Sequence, residues 1–241
     1  LGDSPLSATG MFLNSPSQLV MDNTNRRLYV SDSGNSRIRR IDMLKGLVDT
    51  AVGKGPGAAT TEDEDPKNSF MTSPRGLSLL TKNGNLFLLY ADQASGTSAN
   101  ANCMIRAWNT GATNQSIFGT TVQAGRVSTV FGDYILGCNA YNSANGTALS
   151  MWNPESVSTD GTNLYFTTTN NNSQSDHCIF KSDANGVVTP VVGVCGAAGM
   201  VDGSTQGGVA RVRFPTAIVV DPKYSADGNF FFADSIDQNQ T

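Results

Sequence analysis

Leu13 to Asp42, LNSPSQLVMDNTNRRLYVSDSGNSRIRRID, holds the pattern that decides the fold. Pro16 opens a short strand-like run, Gln18 to Asp22, and a loose turn signal follows from Asp22 to Asn25. Next come the apolar run Leu28-Tyr29-Val30-Ser31-Asp32 and a third run, Ile38 to Asp42. Short runs rich in β-branched and aromatic residues, set off by Asn, Asp, Gly and Ser, read as strands joined by turns.

The order recurs three more times. The lead-in Leu13-Asn14-Ser15-Pro16 returns as Met71-Thr72-Ser73-Pro74, Met151-Trp152-Asn153-Pro154 and Val212-Arg213-Phe214-Pro215. First strands follow at Leu77 to Leu80, Ser156 to Thr159 and Ala217 to Asp221. Asn83-Gly84, Asp160-Gly161 and Asp227-Gly228 then supply the positive-φ positions of tight hairpins. The second strands are Leu88 to Asp92, Leu164 to Thr168 and Phe230 to Asp234, and three of the four copies close on Asp. Runs so apolar suit strands buried on both faces. Third strands begin at Ile38, Ile105 and Ile179. Fourth strands lie between glycines at constant spacing: Gly46 and Gly53, Gly125 and Gly132, Gly186 and Gly193. Four antiparallel strands per repeat make a blade, so the fold class is all-β, a β-propeller.

Leu13 to Asp42 also resembles an NHL repeat, through its Pro-led first strand, its "LYVSD" second strand and its "GN-x-R-I-R" corner. The tripeptide that names the family falls on Asn35-Ser36-Arg37, with Ser where His is usual. The third copy holds Asp176-His177-Cys178 there, and the second carries an insertion, Thr110 to Ala124. The resemblance implies a ring that relatives usually close with about six blades. A single propeller segment, 1–241, is expected, with blades at 13–57, 70–132 and 151–195 and an incomplete one at 212–241. Three complete blades and part of a fourth cannot close a ring, so remaining blades or further domains of the same protein are expected to complete it. The chain opens in what reads as an interblade loop, Gly2 to Phe12, with no basic-then-apolar leader, so a processed chain or a fragment is expected.

The repeat prolines stand 58, 80 and 61 residues apart, and the excess over a compact blade lies in loops. Ala58 to Ser69, Asp133 to Ser150 and Ala197 to Arg211 join blades. Gln93 to Asn102 and Asn170 to Asp176 join second to third strands, and both kinds of loop emerge on one face. Elaborated loops on a rigid scaffold carry recognition. Residues just after the repeat prolines should ring the mouth of the central channel: Ser17, Arg75, Glu155 and Thr216. With Asp32, Asp92 and Asp234 at the ends of second strands, they form the candidate ligand-binding set.

Cys103 and Cys178 begin third strands, and Cys138 and Cys195 follow the fourth strands of the same blades. In an antiparallel hairpin the start of one strand lies beside the end of the next. Disulfides Cys103–Cys138 and Cys178–Cys195 are therefore expected, each stapling the outer hairpin of its blade. Such bonds persist outside the reducing cytoplasm, so an extracellular, cell-surface or periplasmic protein is expected. Four N-x-S/T sequons begin at Asn114, Asn145, Asn171 and Asn239, a frequency that chance allows in a chain this rich in Asn, Ser and Thr.

Charged residues make up 15 % of the chain, against roughly 25 % in an ordinary soluble domain. A net charge of −4 argues against a nucleic-acid partner, which demands clustered Lys and Arg. Arg37, Arg39 and Arg40 read as a solvated strand face. No apolar run approaches the roughly 20 residues of a membrane-spanning helix, so no direct membrane insertion is expected. Chemistry has few candidates. His177 is the sole histidine, too few for a zinc-dependent lyase, and no C-x-x-C occurs. Calcium needs six to eight oxygens, several charged, whereas Glu155 is the one carboxylate among the channel-mouth four and Arg75 opposes a cation. The acidic run Glu62-Asp63-Glu64-Asp65 lacks the spacing of a calcium loop and reads as a solvated, mobile interblade loop. The expectation is an extracytoplasmic recognition module for a protein or glycan ligand, without a cofactor. The alternative is a metal-dependent propeller hydrolase or lyase with calcium or zinc in the channel.

Overall fold

The computed structural model describes residues 6–7, 10–57, 62–93, 102–132, 138–169, 177–203, 210–221 and 229–235. A two-residue strand, β1 (Leu6–Ser7), precedes the first meander of β2 (Pro16–Asp22), β3 (Arg27–Asp32), β4 (Arg37–Asp42) and β5 (Leu47–Val52). The second blade holds β6 (Ser73–Lys82), β7 (Asn85–Gln93) and β8 (Met104–Asn109). A small hairpin, β9 (Gln115–Ile117) and β10 (Thr120–Val122), fills the insertion before its fourth strand, β11 (Val127–Phe131). The third is β12 (Pro154–Thr159), β13 (Leu164–Thr168), β14 (Cys178–Ser182) and β15 (Val188–Val192). The fourth has β16 (Pro215–Val220) and β17 (Phe230–Asp234). Every sheet is antiparallel, and strands follow chain order in each except that β1 pairs with β5 at the outer edge of the first.

Local chemistry places the turns. Asn83 and Gly84 both take positive φ, 49° and 78°, as the hairpin between β6 and β7 requires. In the first and third blades an Asp closes the turn. Asp22 Oδ1 accepts the Thr24 and Asn25 amides at 3.1 Å each, and Asp160 Oδ1 accepts those of Thr162 and Asn163 at 2.8 and 2.6 Å. Asp227-Gly228 lies outside the described residues. The constant glycine spacing also has a steric cause. Gly132 has φ +87°, and a Cβ there would lie 2.3 Å from the Cys103 carbonyl oxygen. Gly53 and Gly193 meet the carbonyls of Ser36 and His177 in the same way. Each fourth strand thus ends by closing over the start of the third.

The first strands β2, β6, β12 and β16 stand side by side, which makes them the inner strands of successive blades. They belong to separate sheets, and side chains lace them together. Gln18 Oε1 accepts the Leu77 amide at 3.1 Å, while Ser156 and Ser158 Oγ accept the Ile218 and Val220 amides at 3.2 and 3.0 Å. Apolar clusters fill the three gaps between blades. Tyr29, Ile38, Met71, Leu88 and Tyr90 lie in the first, and Phe131, Phe166 and Phe180 stack in the second. Tyr165, Ile179, Val192, Val212 and Ile218 occupy the third. As expected, β7 and β13 are buried on both faces. β17 is not: Phe231 is 68 % exposed, because among the described residues nothing packs on its far face or pairs with its outer edge.

Three expectations need correction. Glu62 to Glu64 do not form a mobile, solvated loop but are laid along β11. Glu64 and Val127 exchange backbone hydrogen bonds at 3.0 and 2.9 Å, and Glu62 Oε2 accepts the Thr129 amide at 2.6 Å. Asp63 accepts from Ser128 Oγ and Gln123 Nε2, both at 2.7 Å. Glu64 Oε2 takes both terminal nitrogens of the fully buried Arg106 at 3.2 Å. A buried guanidinium demands a counter-charge, and the outer edge of a sheet demands a cover. β1 pairs with β5 in the same sense, so part of the expected opening loop is a strand, and Asn145 Oδ1 accepts the Val188 amide of β15 at 2.8 Å. The segment leading into each complete blade therefore covers that blade's own outermost strand. The arginines also differ from expectation. Arg37, Arg39 and Arg40 are half-buried, bonded to the Asn35 and Lys54 carbonyls, to Asp32 and to Asp49 respectively.

Candidate ligand-binding site

All four inner strands carry the same irregularity. Pairing with the second strand slips just after the repeat proline, between Pro16 and Leu19, Pro74 and Leu77, Pro154 and Ser156, and Pro215 and Ala217. Ser17, Arg75, Glu155 and Thr216 lie within these slips. A β-bulge leaves a residue out of the ladder and re-aims its side chain. The four residues therefore share one structural position, at the entry end of adjacent inner strands, here called the rim. The bulge of the second blade sits against the third: a Cβ on Gly76 would lie 2.5 Å from Ser156 Cα.

Two of the four are joined. Arg75 Nε donates to Gln93 Oε1 at 2.8 Å, Gln93 Nε2 donates to Glu155 Oε1 at 2.6 Å, and Thr169 Oγ1 donates to the same oxygen at 3.3 Å. Arg75 and Glu155 are half-buried, and Gln93 is buried. Burial pushes the Glu155 carboxyl above the usual range, with Arg75, Gln93 and Thr169 pulling back toward ionisation. Among the described residues the two terminal nitrogens of Arg75 and Oε2 of Glu155 have no hydrogen-bond partner. Ser17 flanks the pair, its Oγ 3.3 Å from the Arg75 carbonyl oxygen, and exposed Thr216 stands on the other side, on β16.

Gln93 and Thr169 were not in the sequence-derived set. The signal was one residue further along each copy, where Ser33, Gln93, Thr169 and Ser235 follow the second strand. Ser33 and Ser235 use the position to bond the Pro74 and Phe214 carbonyls.

Asp32, Asp92 and Asp234 hold the rim from behind. The Asn14 amide donates to Asp32 Oδ1 at 2.7 Å. The Thr72 and Ser73 amides donate to Asp92 Oδ1 at 3.0 and 2.9 Å, and those of Arg213 and Phe214 to Asp234 Oδ1 at 2.9 Å. Each carboxylate thus pins the lead-in to its own repeat proline. Asp32 and Asp92 are fully buried, with Asn35 and Arg39 completing the shell of one and Asn102 that of the other. The role these contacts give the three residues is clamping of the backbone. The third blade has Thr168 in this slot.

His177 is buried at a corner with φ 37°, its ring set edge-on to Phe214 at 5.1 Å. The disulfides Cys103–Cys138 and Cys178–Cys195 are both formed. Among the described residues no group of three or more His, Cys, Asp or Glu side chains is gathered as a metal site, and no helix is long and apolar enough to cross a membrane. A groove of about 900 Å³ lies between the third blade and β17, lined by Val192, Met200, Val212 and Phe232 and reaching Asp234. Of the loops expected to surround the channel, residues 94–101, 133–137 and 170–176 lie outside the described residues, as do Asn171 and Asn239 of the sequons.

Residues 13–41 match the model of the NHL repeat. The NHL likeness is thus shown for the first blade, and the later blades follow it in strand register. A search of curated proteins gave no match. Among solved structures, a Bacteroides thetaiotaomicron VPI-5482 protein of unknown function aligns over 97 % of this chain and 70 % of its own, at 11 % identity and a TM-score of 0.42. An auxiliary nutrient binding protein of the same organism aligns over 92 % and 67 %, at 15 % identity and a TM-score of 0.38. One from Bacteroides ovatus ATCC 8483 aligns over 90 % and 66 %, at 14 % identity and a TM-score of 0.38.

Proposed function

We propose that the chain forms the recognition face of an extracytoplasmic NHL-type propeller that binds a protein or glycan ligand at the rim, in a ring completed by further blades. The observation that carries this reading is the linked pair Arg75 and Glu155. Both sit in bulges, both are partly withdrawn from water, and both keep unspent hydrogen-bonding capacity. A half-buried guanidinium and carboxyl cost solvation, and the described residues do not fully offset that cost, so a ligand that completes their bonding gains affinity. The two disulfides support a compartment outside the reducing cytoplasm.

The test is a screen of immobilised glycans and surface proteins with the wild-type chain and with Arg75→Ala and Glu155→Gln. Each substitution is expected to weaken binding about 10- to 100-fold, the weight of one or two charge-assisted hydrogen bonds. Ligands retained at full affinity by both variants would place recognition elsewhere.

A further inference from the structure

We infer that the rim takes an acidic sugar, a hexuronate unit, with its carboxylate on Arg75 and a ring hydroxyl on Glu155. This rests on the proposed binding face and names the chemistry of its ligand. Among the described residues Arg75 uses only Nε, through Gln93. Its terminal nitrogens form the planar fork that matches a carboxylate in a bidentate pair. Among the same residues Glu155 uses only Oε1, on Gln93 and Thr169, so Oε2 accepts a donor from the ligand. The ligand must therefore present an anionic fork acceptor and a neutral or cationic donor together.

Chemistry chooses among the candidates. The Gln93 amide bridges the two charged groups through hydrogen bonds of 2.8 and 2.6 Å, so one small ligand can meet both. A phosphate dianion offers no donor to Glu155, and a neutral hexose offers the Arg75 fork no counter-charge. An α-amino acid meets both groups but offers no hydroxyl to Thr216, exposed at the next rim position. A hexuronate presents a carboxylate on one side of its ring and hydroxyls around the other. Gln93 is a positioning residue here: its amide sets the distance between the two contacts.

The experiment is calorimetry or saturation-transfer NMR on the intact chain with galacturonate and glucuronate. Their methyl esters, galactose, glucose and glycine serve as comparators. At least one acid is expected to bind 10-fold or more tightly than its ester and than either hexose. Arg75→Ala should abolish that preference, while Arg75→Lys, which keeps the charge without the fork, should restore only part of it. Circular dichroism and the disulfide count establish that the variants are folded. Equal binding of acid and ester, an acid preference that survives Arg75→Ala, or competition by glycine would overturn the inference. A neutral ligand lost on Glu155→Gln would overturn it while leaving the binding face standing. Absence of binding by every saccharide, with no protein ligand sensitive to rim substitution, would sink both.

Discussion

At Asp92 burial and hydrogen bonding pull one carboxyl in opposite directions. Burial prevails over the donors Asn102, Ser73 and Thr72 and pushes the group up to about 6. In the unfolded chain it returns to about 4. The folded state therefore takes up a proton between those values, and this carboxyl's contribution to stability is full below about pH 4 and is lost as pH rises through 6. The gap of about 2 units corresponds to about 3 kcal/mol. Asp92→Asn should remove that dependence and still leave an amide oxygen for the Thr72 and Ser73 amides. Urea midpoints of both proteins at pH 5 and pH 7.5 check it: the variant gains on the wild type at the higher pH, and parallel curves would refute the assignment. The recurrence of Asp at the end of the second strand was legible in the sequence. Its use as a backbone clamp was not, because a list of residues does not show which way a bulge turns a side chain. Gln93 was missed for the same reason, being one residue beyond the repeated pattern and meaningful only once Arg75 and Glu155 flank it.

The strands themselves were legible because their signals are local: a proline, an Asn-Gly turn, an apolar run, two glycines at fixed spacing. The strap formed by Glu62 to Glu64 was not, since its meaning depends on Arg106 and β11, remote in sequence and adjacent in space. Four acidic residues in a row describe a solvated loop equally well until a buried guanidinium is placed against them. With Arg106 fully buried and Glu64 nearly so, removing the carboxylate leaves the interior guanidinium without its hydrogen-bonded counter-ion. Glu64→Gln should cost about 3–5 kcal/mol, whereas Glu64→Gln combined with Arg106→Met should recover much of the loss. Denaturation midpoints give the energies. Hydrogen exchange at the Val127 amide, bonded to the Glu64 carbonyl, reports whether the strap has lifted. An unchanged Val127 amide in the single variant would refute the latch.

Across the whole molecule the blades are joined by apolar faces and a few side-chain bridges, and two outer hairpins are held covalently. The disulfides close intervals of 35 and 17 residues. The chain-entropy relation assigns each about 3–4 kcal/mol. Replacing Cys103 and Cys138 together by Ser should lower stability by that amount and loosen the second blade first. Scanning calorimetry of this double variant against wild type, with and without reductant, measures it, and a thermal midpoint indifferent to reductant would contradict the staples. Both pairings could be read in advance because each joins neighbours within one hairpin. The exposure of Phe231 and Phe232 could not, since it depends on what lies beyond β17.

The covering of each outermost strand by its own lead-in defines what can be exchanged between such chains. A transplant cut at the repeat proline Pro74 would carry β6 to β11 into a new host and leave behind the residues that neutralise Arg106. The transferable module begins upstream of Glu62 and runs through Cys138, the disulfide partner of Cys103, so a chimera or a gene duplication that keeps this register moves a self-sufficient unit. One cut at the visible sequence repeat does not.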